Sequence, residues 1–174
     1  AAANADTLVF NMMGAFYTAC ASFVSRNWGA GHKERITKSY LISMFYAFAV
    51  GSICGGLLLV FGRQFLSLFA DKPEVIDAGM DRLRIMAFSY GIGALMDASI
   101  APSRGIGKSI APTIMVIMGS CVFRVIWIYT VFAYFHTVPS LYLLYIFSWV
   151  ITGIAECIYF RAAYKKSILK AQIW

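Results

Sequence analysis

Charge is scarce in this sequence: eight Asp and Glu and 15 Lys and Arg make up 13% of 174 residues. Soluble domains carry about 25% charged residues to cover their surface, so a water-facing globule is excluded at the outset. Histidine is rarer still. His32 and His136 each stand alone, with no paired carboxylate or nucleophile, so no catalytic constellation forms and enzyme chemistry is not expected. The four cysteines, Cys20, Cys54, Cys121 and Cys157, lie inside apolar blocks without C-x-x-C spacing or a nearby histidine pair. Neither a zinc centre nor a disulfide framework is indicated, and they read as small packing residues. No Met opens the chain and no basic segment precedes its first apolar stretch, so no signal peptide is read and the N-terminus is expected to be a cut end. The string Arg104-Gly105-Ile106-Gly107-Lys108 lacks both a preceding strand and the spacing of a phosphate loop, and reads as a short turn.

What is abundant is apolar surface: 60% of residues are hydrophobic and the mean hydropathy is +0.72. The apolar residues come in blocks of about twenty, the length at which an α-helix crosses roughly 30 Å of hydrocarbon. Runs bounded by charges or turn residues predict five spans, at 7–24, 40–61, 83–101, 110–135 and 141–160. The fold class is therefore all-α, a polytopic transmembrane helix bundle. No soluble domain, long linker, low-complexity tract or internal repeat is evident. Gly51, Gly55 and Gly56 on the second span and Gly91 and Gly93 on the third mark candidate packing faces, because helices in lipid associate where small residues let backbones approach.

The net charge of +7 does not point to nucleic acid, because the basic residues fall in short clusters between apolar blocks. Arg26, Lys33, Arg35 and Lys38 occupy the first connection, Arg104 and Lys108 the third, and Arg161, Lys165, Lys166 and Lys170 the tail. The second connection has no basic excess, and residues 136–140 hold no Lys or Arg. Since Lys and Arg accumulate on the cytoplasmic side, this alternation predicts a cytoplasmic C-terminus and an external N-terminus. Gly29 and Gly31 can supply the positive φ that ends the first helix. Asp71-Lys72-Pro73-Glu74 carries the Pro and acids of a helix start. Tyr142, Tyr145, Tyr159 and Phe160 read partly as interfacial anchors, and Trp149 as helix packing.

A charge deep in hydrocarbon costs about 2.5–3.5 kcal/mol on insertion scales and must snorkel, find a partner or line a wet cavity. Asp97 stands seven residues before Arg104, roughly 10 Å inside the third span, too far for a short carboxylate to snorkel. It is the candidate ion-coupling residue, exchanging a proton or binding Na⁺; the alternative is a carboxylate fixed by hydrogen bonds or by a base. Arg124 lies past the midpoint of the fourth span and reads as structural, bonding carbonyls or an acid, with cavity lining as its functional alternative. Asn4, Asn11 and Tyr17 are further cavity-lining candidates; Asn4 and Asn11, seven apart on one helix face, either bond across helices or line a cavity. Asp6 is expected to be solvated at the outer interface, and Glu156 to reach the inner headgroups or nearby lysines.

Several strings in order resemble the C-terminal lobe of the MATE (multidrug and toxic compound extrusion) family: Ala2-Ala3-Asn4, Ser22-Phe23-Val24-Ser25-Arg26-Asn27-Trp28-Gly29-Ala30-Gly31, Leu68 through Ile76, and Ser103 through Lys108. Phe123 through Thr130 and Phe147 through Thr152 look like a bacterial branch of that family. Ser103 and Pro102 before the turn, and Gly14, depart from the usual pattern. The resemblance implies helices eight to twelve of twelve, with the N-terminal lobe and seventh helix absent, in a bacterial inner membrane. It implies export of cationic or amphipathic drugs in exchange for Na⁺ or H⁺ by alternating access, with a carboxylate on the tenth helix, at Asp97 here, in the coupling machinery. Partners would be drugs, the lipid bilayer and the missing lobe, with no other cofactor. A lipid-linked precursor flippase of the same superfamily and a non-transporting assembly subunit are the rival expectations.

Overall fold

A computed structural model describes residues 2–135 and 138–171 of the chain. His136 and the side chain of Tyr142 lie outside this description. The described residues form five long helical runs and no strand: α1, Ala2–Gly29; α2, Lys33–Ser67; α3, Pro73–Gly105; α4, residues 110–135; and α5, Val138–Ala171. Each holds a stretch long and apolar enough to cross a membrane, so the five expected spans are present. The helices overrun those spans. Most of the expected connection at 62–82 is helical, and only residues 68–72 lie outside α2 and α3. Apolarity marks the hydrocarbon-facing part of a helix, whereas backbone hydrogen bonding continues into polar residues until a turn stops it.

Two turns are built alike. After α1, Gly31 takes φ 74° and donates its N–H to Trp28 O at 3.2 Å, while His32 donates to Asn27 O at 2.9 Å. After α3, Gly107 takes φ 79°, donating to Arg104 O at 3.0 Å, and Lys108 donates to Ser103 O at 2.9 Å. This paired capping satisfies the last carbonyls and needs a left-handed residue, which glycine adopts without a Cβ penalty. Gly29 remains helical, so Gly31 is the residue that ends α1.

α3 is the centre of the bundle. Of its most apolar window 72% is buried, against 22% in α1 and in α2. α1 and α3 run in the same direction, since Asp6 meets Arg82 at one end and a Cβ on Gly105 would meet Val24 at the other. α5 runs alongside as well: Gly93 packs on Trp149 and Gly153 on Met96. α2 is antiparallel, with Gly51 against Tyr90 and Ala94, Gly55 against Ala87, and Gly62 against Met80 and Leu83. The bundle thus has a basic end, carrying Arg26, Lys33, Arg104 and Lys108, and an opposite end at which α2 gives way to α3.

The glycine seam on α2 is where backbones come closest. A Cβ on Gly55 would fall inside contact distance of the Ala87 carbonyl, whereas Gly56, marked with it in the sequence, faces open space. Gly55→Ala should therefore cost about 1–3 kcal/mol by overpacking, and Gly56→Ala should be neutral. Thermal unfolding of the two variants in detergent checks the pair; equal melting temperatures would show that the seam does not limit packing.

The exterior is apolar. Phe45 is 68% exposed, Val60 70%, Phe88 77% and Tyr129 80%. Spread over several helices, such a surface suits hydrocarbon and not water.

Candidate ion and substrate site

Asp97 lies on α3 seven residues after Tyr90 and seven before Arg104. Both of those side chains reach α1: the Tyr90 hydroxyl donates to Asp6, and Arg104 Nη1 donates to the Tyr17 hydroxyl at 3.0 Å. Residues seven apart share a helix face, so Asp97 projects toward α1, in the stretch between those two contacts. Four residues earlier Gly93 packs on Trp149 of α5, and Phe10 of α1 meets both Trp149, at a ring distance of 6.0 Å, and Tyr90, at 6.2 Å. This aromatic layer closes the site on the side away from the basic end. On the basic side Arg104 lies over the Tyr17 ring, 5.8 Å from its centroid, and its second nitrogen donates to Thr113 Oγ1 of α4 at 3.4 Å.

Asp97 itself is half-buried, and no ion pair among the described residues includes it. On α1, a Cβ on Gly14 would meet nothing within 4 Å. The arrangement is a carboxylate without a base among the described residues, between an aromatic layer and an arginine. It suits reversible capture of a cation or a proton.

Tyr17 stands at the basic side of this stretch, its hydroxyl accepting from Arg104. Asn4 and Asn11 are exposed on α1. Arg124 is held elsewhere: its Nε donates to Ser148 Oγ at 3.2 Å and its guanidinium lies 4.5 Å over the Tyr145 ring. Its anchor is built by a local widening of α4. The Phe123 N–H bonds Met118 O, five residues back, which leaves Gly119 O to accept from Ser148 Oγ at 2.7 Å. Such one-turn π-helical insertions recur at functional positions and re-aim the residues after them. Gly119 is required there because the Thr152 hydroxyl occupies the place of its Cβ.

Two acids differ from their sequence-based expectation. Asp6 is not solvated: it is 7% exposed, paired with Arg82 and hydrogen-bonded by Tyr90. Arg82 had been assigned to a loop, but α3 begins at Pro73 and carries it onto the face that meets α1. Glu156 does not reach the headgroups: it is 0% exposed, and neither carboxylate oxygen has a hydrogen-bond partner among the described residues. Snorkelling would require the side chain to point outward, and the α5 face that carries it also carries Ser148, Thr152 and Phe160, all buried.

An apolar cavity of about 450 Å³ lies on another side of α3, lined by Met44, Leu95, Met96, Trp149 and Ile158, with Arg161 at its basic end. Asp97, Asn4, Asn11, Tyr17 and Arg124 do not line it.

Five apolar helices packed through glycine seams, with an unpaired carboxylate on the most buried one, define a polytopic membrane protein with an internal polar site. The model of the MatE family matches residues 1–130, and the chain belongs to this family of membrane transporters. No curated protein matches the chain. All of α5, with Ser148 and Glu156, lies beyond the matched residues.

Proposed function

We propose that this chain is the greater part of the C-terminal lobe of a bacterial secondary exporter, helices eight to twelve of twelve, which exchanges amphipathic or cationic drugs for Na⁺ or H⁺. The C-terminus is cytoplasmic in this reading, and the basic end of the bundle faces the inside of the inner membrane. Asp97 is the coupling residue, empty in one orientation and ion-bound in the other. Tyr17 and Arg104 form the polar floor of its site, and Phe10 and Trp149 form its apolar roof. The observation that carries the reading is the position of Asp97: mid-span in the most buried helix and free of any ion pair among the described residues. A carboxylate kept there for structure alone would be matched by a base or held by hydrogen-bond donors.

Transport by this fold needs two lobes rocking about a site between them, so the test uses the full-length protein in vesicles. An imposed Na⁺ or H⁺ gradient should drive counterflow of a cationic dye. Gradient-independent movement of a lipid-linked precursor would favour the flippase, and movement of neither would favour an assembly role; both results overturn the proposal. Arg124 does not favour the flippase, since its guanidinium is engaged by Ser148 and Tyr145.

A further inference from the structure

Glu156 is an acid that the site around Asp97 does not use. It stands three residues after Gly153, which packs on Met96 of α3, and four after Thr152, which fills the space beside Gly119 of α4. The helical period therefore aims its side chain into the junction of α3, α4 and α5. There it is 0% exposed, and both carboxylate oxygens lack a hydrogen-bond partner among the described residues. No ion pair among those residues includes it. Ser103 Oγ, on α3 toward the same end, is also buried and unpartnered.

A carboxylate sealed from bulk solvent, with neither a donor nor a counter-ion among the described residues, has nothing there to replace its hydration, and such groups neutralise instead of staying charged. The surroundings offer little to change that. The first stretch of α4, Ile110–Ile117, has no titratable side chain. On α3, Asp97 faces α1, and Arg104, toward the same end of the helix, has its guanidinium held by Tyr17 and Thr113. On α5, Cys157, Tyr159 and Arg161 follow it in sequence, and Cys157 meets the Tyr40 hydroxyl of α2 at 3.1 Å. Tyr17, Cys20 and Arg26 are the titratable and charged groups in the half of α1 nearer this end. A proton needs a single oxygen, whereas a metal ion needs a shell of ligands, and no group of three or more His, Cys, Asp or Glu converges among the described residues.

We propose that Glu156 is a proton-binding site separate from Asp97, occupied while α3, α4 and α5 are packed as here and emptied when the junction opens to water. On opening, the O–H bond of the acid breaks, the proton passes to water, and the carboxylate keeps the negative charge near Arg104. The inference does not depend on the exporter reading, because its readout is a protonation state and not a flux.

The test is infrared spectroscopy of the full-length protein in lipid nanodiscs at neutral pH. The wild type minus Glu156→Gln spectrum should contain one protonated-carboxyl C=O band that persists in heavy water, and Asp97→Asn should leave that band in place. Glu156→Asp guards against misfolding of the glutamine variant, since it should keep an acid in the junction and shift the band without abolishing it. A band absent from the wild type, or unchanged by both Glu156 substitutions, overturns the proposal. A normal Glu156 band alongside failed counterflow would leave this site standing while the exporter reading fell.

Discussion

Asp97→Asn in the full-length protein is expected to reduce ion-driven efflux to the level of empty vesicles while leaving insertion and folding intact. Asparagine keeps the shape and hydrogen-bonding capacity of the side chain but can neither release a proton nor balance a cation. Because no ion pair among the described residues includes Asp97, removing its charge leaves no orphaned base behind. The expected result is thus a split, with transport lost and melting temperature unchanged. Efflux assays in cells and thermal unfolding of the purified variant measure the two halves. Normal ion-dependent efflux by a folded, inserted Asp97→Asn protein would remove Asp97 from the coupling machinery.

Asp6→Ala should give the opposite split, with stability lost. Asp6 is 7% exposed and serves two partners, Arg82 and Tyr90, both on α3. Breaking one side of a buried ion pair costs about 3–5 kcal/mol, because the remaining charge stays buried without compensation. Arg82 is badly placed to recover, since its Nε is already buried without a partner among the described residues. Arg82→Met should cost a comparable amount, and the double variant less than the sum of the two, since the second substitution removes a charge that has already lost its partner. Thermal unfolding in detergent gives all three values. Melting temperatures within error of wild type for Asp6→Ala would show that the cluster does not clamp α1 to α3.

The contrast between these two acids shows what a sequence makes conspicuous and what it hides. Asp97 was recognisable because hydrocarbon makes any mid-span carboxylate conspicuous, and its distance from Arg104 follows from helix rise alone. Asp6 lies near a helix end, where a charge is cheap, so nothing in its local sequence marks it. Its partners are 76 and 84 positions away, and no periodicity or spacing rule connects such residues. Glu156 was misplaced for a related reason: its nearness to Arg161 offered a plausible way out to the headgroups, and only the packing of α5 on α3 and α4 closes that route. The glycines divide in the same manner. Gly55 and Gly56 are indistinguishable as neighbours in a sequence, yet one lies against a backbone carbonyl and the other faces open space.

The amino-acid sequence by itself determined the solvent of this protein, the number of its membrane-crossing helices, the turns at Gly31 and Gly107, and the family resemblance. These depend on composition, on runs of about twenty residues and on local backbone geometry, all of which act over short stretches of chain. Tertiary structure alone decided that α3 is the hub, that Asp6 is clamped, that Arg124 is held by Ser148 through a widened turn, and that Glu156 is sealed away. Each of those depends on which face of one helix meets which face of another, and helices in lipid choose their partners by close packing and polar contact between distant residues instead of by apolarity, which nearly all their faces share.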